Sequence, residues 1–322
     1  MRFALDSSHR DFASSIDALL ARADMPSVIR SWSGGDTGQG LEVWRRLAET
    51  GVNGLLIADQ DGGLGADAVD LVVAVEQLGR YAVPGPVAET IAVAPALLAQ
   101  TDPTRLAALA TGSLATVAAA PHVGFAVDAD SAGIALFVDG RSMSTGRIGA
   151  GRNSVDRSRR LFPLTAGEPL GDVDFLPAFD LGALATAAQL QGLGQTLLDI
   201  STDYAKQRTQ FGKLIGQFQA VKHHLADVAV RLEMSRPLLH AAALSVRDVS
   251  VDSTRDVSAA KVACGDAAYR AARVALQVHG AIGYTLEHDL SLWITKVRAL
   301  VTAWGTPAFH RGRVVDSLVS AS

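Results

Sequence analysis

The pattern of hydrophobic and polar positions divides the chain into three regions. Residues 1–112 and 179–322 carry apolar side chains at the three- and four-residue spacing of amphipathic helices. Residues 113–178 instead contain short apolar runs separated by Gly, Asp and Ser, which is typical of strands and turns. We therefore expect a mainly α-helical protein with a small β-domain. Its parts are an N-terminal helical domain (1–112), a reduced middle β-domain (113–178) and a C-terminal helical bundle (179–322).

Within these regions the pattern predicts individual elements. In the first segment, Phe12, Ile16, Leu19 and Leu20 follow helical spacing. Helices are predicted over 11–23, 41–49, 67–79, 89–99, 181–208, 218–248 and 252–279, with two more in 290–319 that break near Gly305. Short strands are predicted over 114–120, 124–127 and 133–138. The helix 252–279 has only a narrow polar stripe, which predicts that it lies inside a bundle.

Composition excludes several classes of protein. The 322 residues are 48% hydrophobic and 19% charged, which is enough for a large core and too apolar for a disordered chain. The net charge of −4 is spread along the chain, so no basic patch indicates a nucleic-acid partner. Polar residues interrupt the long apolar stretches, so no membrane span is expected.

Cysteine and histidine usage also limits the chemistry. Cys264 is the only cysteine, which excludes an internal disulfide and a Cys-rich metal site and fits a cytoplasmic protein. The N-terminus lacks the basic and apolar stretches of a signal peptide. His223 and His224 are adjacent and fall on different helical faces, without a carboxylate at ligand spacing. We therefore expect no metal site.

The first candidate for ligand binding is Arg208–Gly212, which ends one predicted helix shortly before the next begins. A guanidinium offers five fixed donors that suit a phosphate group. The following helix N-terminus adds a partial positive charge. Taken alone, the segment is more typical of an ordinary helix–turn–helix, with Gly212 ending the turn.

The second candidate is Gln277–Asp289, which ends a helix with a glycine-containing loop. Gly280 and Gly283 break the helix and allow a ligand to approach the backbone. Glu287 follows directly. Taken alone, this pattern is more typical of a glycine-rich helix end followed by a capping acid.

Together the two segments resemble the acyl-CoA dehydrogenase family. That family carries Arg-x-x-Phe-Gly, found here as Arg208 to Gly212, and Gln-x-x-Gly-Gly-x-Gly-Tyr/Phe-x-x-Glu, found as Gln277 to Glu287 with Ala281 at the second glycine. The family's Glu-Gly-Thr motif corresponds to Trp304–Gly305–Thr306, in which Trp304 replaces the glutamate. Similar stretches occur in the N-terminal region at 51–56, 62–65 and 76–79.

The resemblance implies oxidation of an acyl-CoA thioester to the 2-enoyl-CoA, with FAD as hydride acceptor. Glu287 matches the position of the base that removes the α-proton in one branch of the family. The other branch places its base near residue 182, where this chain has Gly182 and Ala183. The implied FAD-binding residues typically serve the flavin of a neighbouring subunit. They are Arg208, Phe211, Gln277, Gly280 and Thr306.

The middle region departs from the family. It is shorter than the usual hundred or more residues, and the flavin-ring segment Thr/Ser-Glu-Pro-x-x-Gly-Ser-Asp is absent between residues 110 and 179. This implies a chain that cannot hold a whole flavin. The family includes heteromeric enzymes of actinobacterial steroid breakdown that pair a full-length subunit with a shortened one. The sequence Glu287–His288–Asp289 resembles that branch.

We therefore expect an α2β2 enzyme that acts on a bulky, steroid-derived acyl-CoA. Its second subunit is a full-length acyl-CoA dehydrogenase, and its electron acceptor is an electron-transfer flavoprotein or a similar protein. Two alternatives stay open. The chain could be a homo-oligomeric dehydrogenase with a trimmed flavin domain, or a non-catalytic subunit that completes a partner's FAD site.

Overall fold

The N-terminal region folds into helices in the structure, a computed structural model that describes residues 5–285 and 288–320. The predicted helices 11–23, 41–49 and 67–79 correspond to α1, α3 and α4. The predicted helix 89–99 is split into a π-helical turn, Glu89–Val93, followed by α5. Two short helices, α2 and α6, were not predicted, since each is too short to repeat the helical pattern. The elements are α1 (Ser7–Leu20), α2 (Met25–Ser33), α3 (Gly38–Glu49), α4 (Ala68–Arg80), α5 (Ala94–Thr101) and α6 (Leu106–Ala110).

The middle region forms a small mixed sheet. Its strands are β1 (Ala115–Ala119), β2 (Ala126–Val127), β3 (Ile134–Asp139), β4 (Ser142–Ile148), β5 (Leu161–Phe162) and β6 (Leu164–Asp172). The main sheet has the order β1-β3-β4-β6, with β1 parallel to β3 and the other pairs antiparallel, while β2 pairs with β5. The predicted strands are β1, β2 and β3. The pattern missed β4 and β6 because their polar, largely exposed sequences show no apolar alternation.

The C-terminal region is dominated by three long helices. They are α7 (Phe175–Gln207), α8 (Gln219–Arg247) and α9 (Ser253–His279). A hairpin of β7 (Thr209–Gln210) and β8 (Lys213–Leu214) connects α7 to α8. Two shorter helices, α10 (Leu290–Leu300) and α11 (Pro307–Ser320), follow α9. Helix α7 begins six residues before its predicted start, because the Asp174 carboxylate accepts a hydrogen bond from Leu176 N at 3.3 Å and caps the helix. In the described ranges, no helix combines the length and hydrophobicity that crossing a bilayer requires.

The predicted fold, mainly α with a small β-domain, is confirmed. Buried side chains from all three regions form one continuous hydrophobic cluster around α7. The domain limits 1–112, 113–178 and 179–322 stay a prediction.

Helices α4 and α7 cross in backbone contact. A Cβ atom on Gly192 would lie 2.0 Å from the carbonyl oxygen of Glu76, and one on Gly79 would lie 2.3 Å from that of Gln189. Only glycine permits this approach, and it joins the N-terminal helices to the bundle. An ion pair between Arg236 and Glu76, at 2.6 Å, lies beside the crossing.

Replacement of Gly192 by Ala tests this crossing. We expect Gly192→Ala to lower the free energy of unfolding by about 1–3 kcal/mol, because the methyl group forces two packed helices apart. The measurement is urea unfolding followed by circular dichroism. Gly265→Ala in α9 is the matched control: no atom lies within 4 Å of its added Cβ, and helix propensity predicts a gain of about 0.5–1 kcal/mol. Equal effects of the two substitutions would contradict the role of the crossing.

Candidate functional site

The ends of α7 and α9 lie together at one end of the bundle. Tyr204, one turn before Arg208, stacks its ring on the imidazole of His279 with centroids 4.2 Å apart and planes inclined by 24°. His279 in turn lies between Gln277 and Gly280 in the chain. The fold therefore brings together the two segments that the sequence singled out, although 69 positions separate Arg208 from Gln277.

Arg208 and Phe211 are presented by a tight hairpin. The Arg208 backbone N–H donates to Tyr204 O at 2.9 Å, and its carbonyl accepts from Ile215 N at 2.8 Å. Phe211 and Gly212 both have positive φ, +53° and +80°, which forms a two-residue turn of the primed type. The Phe211 ring is 91% exposed. A bulky side chain in the left-handed region with its ring in solvent is costly, and such residues concentrate at functional sites.

Gln277 and Gly280 are exposed on the same surface, at the end of α9. Gly280 has φ +65° and ψ −140°, a conformation that is open to glycine alone. The four exposed residues Arg208, Phe211, Gln277 and Gly280 are called here the helix-end surface. This surface suits a nucleotide with phosphates, because it offers a guanidinium, an aromatic ring, a carboxamide and a backbone without a Cβ atom.

A buried histidine supports this surface from below. His279 is 5% exposed, and its Nδ1 lies 2.8 Å from Ala275 O. Burial lowers the pKa of His279, and the hydrogen bond to Ala275 opposes that shift only in part. Because a carbonyl oxygen can only accept, His279 donates through Nδ1–H, and its ring stacks on Tyr204, which ties the last turns of α7 and α9 to each other.

Thr306 lies apart from the helix-end surface. It is exposed, and its Oγ1 accepts a hydrogen bond from Phe309 N at 3.2 Å, so it caps α11. Two residues earlier, the indole of Trp304 packs on Gly182 in the first half of α7. From Gly182 to Tyr204, α7 rises about 33 Å at 1.5 Å per residue. Thr306 therefore follows a residue that packs on the first half of α7, whereas the other four residues lie at the ends of α7 and α9.

The predicted base, Glu287, lies outside the described residues. Its neighbours His288 and Asp289 are described. The rings of His279 and His288 have centroids 5.3 Å apart, so residue 288 lies next to the helix-end surface. Asp289 forms an ion pair with Arg30 at 2.6 Å. The roles of Glu287 and of the five cofactor-binding residues stay predictions.

The segment that holds the flavin ring in the resembled family has a partial counterpart that sequence analysis missed. Pro121 and Gly124 keep its Pro-x-x-Gly spacing after β1. The hydroxyl and acidic positions around them are occupied by Ala119, Ala120, Phe125 and Ala126. None of these four side chains carries a hydroxyl or a carboxyl group, so the loop lacks the polar groups that the family segment has at these positions.

Aromatic side chains pack against this loop. The His122 ring lies 4.0 Å from that of Phe309 and 5.9 Å from that of Phe179. The Arg313 guanidinium lies 5.4 Å from the Phe179 ring and pairs with the buried Asp180 at 2.7 Å. The neighbourhood of the loop is therefore occupied by the chain's own side chains.

A second feature that the sequence did not reveal is a buried acid beside Trp304. Trp304 Nε1 donates to Glu89 Oε1 at 3.0 Å, and the two residues are 2% and 4% exposed. Burial raises the pKa of Glu89, against a weaker opposing effect of Arg159. The only local hint was an acid within an apolar helical segment. No group of His, Cys, Asp and Glu side chains in the described ranges is arranged to hold a metal ion.

Glu89→Gln tests whether this carboxyl is kept neutral by burial. Burial raises the pKa of the Glu89 carboxyl above the ordinary 4.5. The contribution of this carboxyl to stability is therefore present below pH 4.5 and is lost as the pH rises through its pKa in the folded protein. The amide still accepts from Trp304 and cannot ionise. We expect the unfolding free energy of Glu89→Gln to exceed that of the parent chain by a margin that grows from pH 4.5 to 8. The same exchange at exposed Glu168 is the control, and a flat difference at residue 89 would refute the assignment.

Comparison with known proteins covers most of the chain. A family model described as the acyl-CoA dehydrogenase N-terminal domain matches residues 6–103, and one described as the acyl-CoA dehydrogenase C-terminal domain matches 174–319. The chain is 31% identical over 300 residues to acyl-CoA dehydrogenase IpdE2 from Mycolicibacterium smegmatis, which covers 91% of this chain and 93% of that protein.

Two solved structures have the same fold. The Tcur3481–Tcur3483 steroid ACAD, as a G363A variant, matches with a TM-score of 0.84 at 20% identity, over 98% of this chain and 99% of that one. The ChsE4–ChsE5 complex from Mycobacterium tuberculosis matches with a TM-score of 0.85 at 20% identity, over 99% of both chains. The middle segment 104–173 lies outside both family models.

Proposed function

Because this chain belongs to the acyl-CoA dehydrogenase family, we propose that it is one subunit of a heteromeric, FAD-dependent acyl-CoA dehydrogenase. In this proposal the helix-end surface completes the flavin site of a second, full-length subunit. The assembly converts an acyl-CoA to the 2-enoyl-CoA. The observation that carries the proposal is that Arg208, Phe211, Gln277 and Gly280 are exposed at the two helix ends that the Tyr204–His279 contact joins.

Each group on the helix-end surface suits one part of a dinucleotide. Arg208 offers paired donors to a diphosphate. Phe211 offers a ring face, Gln277 a carboxamide, and Gly280 a backbone that a ligand can approach without a Cβ in the way. Bound FAD supplies the hydride acceptor for the reaction. The part of this chain is to hold and orient the nucleotide half of that cofactor.

Two observations favour a flavin shared between subunits. Thr306 lies two residues after Trp304, which packs on Gly182, and Gly182 lies about 33 Å along α7 from Tyr204 at the helix-end surface. The loop at Pro121 and Gly124 has alanine or phenylalanine at the hydroxyl and acidic positions of the family's flavin-ring segment. A partner subunit supplies the ring site in an α2β2 arrangement, and oligomerisation is then part of function.

Two structurally similar proteins favour a bulky substrate and a two-chain assembly. One is the Tcur3481–Tcur3483 steroid ACAD, and the other is the ChsE4–ChsE5 complex. We extend this to a steroid-derived acyl-CoA as substrate, an electron-transfer flavoprotein or similar acceptor, and a cytoplasmic location. The solitary buried Cys264 fits a reducing compartment.

A second candidate function is a non-catalytic subunit that only completes the partner's site. Trp304 favours it, because an indole stands where the family motif has an acid and lies against Gly182, the other position used for a base. In the first candidate, Glu287 is the base and acts at the shared flavin, next to the helix-end surface.

Arg208→Gln tests the shared flavin site. We expect the FAD affinity of the purified two-subunit complex to fall by about 10- to 100-fold, because charge-assisted hydrogen bonds to phosphate are lost. Flavin absorbance per complex measures this. Arg231→Gln, in the exposed part of α8, is the control and should leave the flavin content unchanged. One tightly bound FAD per chain in the isolated subunit, with full activity, would defeat the proposal.

Glu287→Gln in the complex separates the two candidates. If Glu287 is the base, kcat falls by about 10²- to 10⁴-fold, the usual contribution of a positioned general base. Asp289→Asn, which removes the neighbouring acid that pairs with Arg30, should leave kcat near the parent value. An unchanged kcat in Glu287→Gln would assign the chemistry to the partner and leave this chain the structural role.

A further inference from the structure

We infer that this chain has a binding site for a small organic carboxylate, in a surface cleft that the proposed function does not use. The cleft lies where three regions meet: the end of α2, the connector between β4 and β5, and the start of α10. Its volume is about 350 Å³, a size typical of pockets for small molecules. This cavity is called here the α2–α10 cleft, and its walls include Arg30, Val155, Arg157, Ser291, Leu292 and Thr295.

Arg157 brings a positive charge to the α2–α10 cleft. It belongs to the connector 152–160, which carries four arginines. Arg152 lies over an aromatic ring at 5.5 Å, Arg160 forms an ion pair at 3.3 Å, and Arg159 is half-buried and lines an interior cavity. Over residues 5–285 and 288–320, the exposed guanidinium of Arg157 forms no ion pair and no hydrogen bond. Its five donors are therefore available to a ligand in the cleft.

The two acids beside the cleft are each paired with another base. Asp156 is 3% exposed, and its Oδ2 lies 3.4 Å from Lys296 Nζ. Its Oδ1 accepts two hydrogen bonds from Ser158, at 2.9 Å from N and 2.8 Å from Oγ. Asp289 pairs with Arg30 at 2.6 Å, which joins α2 to the start of α10. These pairs leave the cleft with the single positive charge of Arg157, so it matches a ligand with one negative charge.

The hydroxyl groups of the cleft already use their hydrogens within the chain. Ser291 Oγ donates to His288 O at 3.0 Å, and Thr295 Oγ1 donates to Ser291 O at 2.8 Å. Ser33 Oγ, which also lines the cleft, donates to Ile29 O at 2.7 Å. These oxygens offer only lone pairs to a ligand, which disfavours a sugar or another polyol. The charged end of the ligand is therefore held by guanidinium groups.

Val155 and Leu292 give the cleft an apolar wall. Val155 is 56% exposed and Leu292 is half-buried, so a ligand with an apolar body would remove their surface from water. A compact ring or hydrocarbon that carries one carboxylate satisfies both this wall and Arg157. A phosphate monoester fits less well, because it carries about −1.5 to −2 charges at pH 7.

Titration of the full-length chain with 3-phenylpropanoate tests the α2–α10 cleft. We expect saturable binding at one site by ligand-observed NMR. The uncharged 3-phenylpropanamide should bind at least about 10-fold more weakly, because the charge-assisted hydrogen bonds are lost. Phenyl phosphate should also bind more weakly than the acid. No saturable binding of the acid, equal affinities of acid and amide, or tighter binding of phenyl phosphate would each overturn the inference.

Arg157→Gln tests the group that holds the carboxylate. We expect the affinity for 3-phenylpropanoate to fall by about 10- to 100-fold. Arg152→Gln is the matched control: it removes the same charge from the same connector, but its side chain does not line the cleft, so the affinity should stay at the parent value. Both side chains are exposed, so both variants are expected to fold. An equal loss in the two variants would show general attraction to a basic connector and would contradict the site.

Val155→Asp tests the apolar wall. A carboxylate there opposes the charge of the ligand and replaces apolar surface, so the affinity for 3-phenylpropanoate should fall at least about 10-fold. Val251→Asp makes the same exchange at a side chain that is 99% exposed in the turn between α8 and α9, and it should have no effect. An unchanged affinity in Val155→Asp would place the ligand elsewhere and refute the inference.

The outcome is independent of the shared flavin site, because no residue of the helix-end surface is among the described residues that line the cleft. Arg208→Gln should therefore keep the parent affinity for 3-phenylpropanoate, and Arg157→Gln should keep the FAD content of the two-subunit complex. Loss of acid binding in Arg208→Gln would assign the acid to the helix-end surface and overturn the inference. Unchanged flavin in Arg208→Gln, with acid binding lost only in Arg157→Gln, would refute the proposed function alone.

Discussion

The backbone contact between α4 and α7 is the constraint on which the rest of the structure depends. Gly79 and Gly192 let each helix reach a carbonyl oxygen of the other, so no side chain separates them. Helix α7 is thereby held in the centre of the molecule, where every residue from Ala178 to Gly194 except the half-buried Leu181 is buried. Trp304 packs on the first half of this helix, and the helix-end surface begins at its last turn.

The length of α7 separates two functions that a single active site would need together. Its first half carries Gly182, on which Trp304 packs, and its last turn leads into the hairpin that exposes Phe211. A straight helix of this length does not bring those ends together. In the proposed enzyme, two chains supply these groups to one ligand, and assembly is then coupled to activity.

Solvation also differs between the two ends. Beside Trp304, burial raises the pKa of Glu89 and lowers the pKa of His310 to about 4, so both side chains are shifted toward their neutral forms. At the other end, Arg208 and Gln277 are exposed to solvent. The polar side chains around Trp304 thus pair within the chain, whereas the helix-end surface presents its polar groups to solvent.

Local sequence determined those features that depend on local spacing. Helical periodicity placed α1, α3, α4 and the three long C-terminal helices, and motif spacing identified Arg208, Phe211, Gln277 and Gly280. It missed β4 and β6, whose polar residues carry no period, and the short helices α2 and α6. Tertiary structure alone decided that α7 and α9 end side by side, that Thr306 lies elsewhere, and that Trp304 meets Glu89 across 215 positions. The reason is that periodicity encodes which face of an element is buried, whereas only the packing of distant elements decides what that face meets.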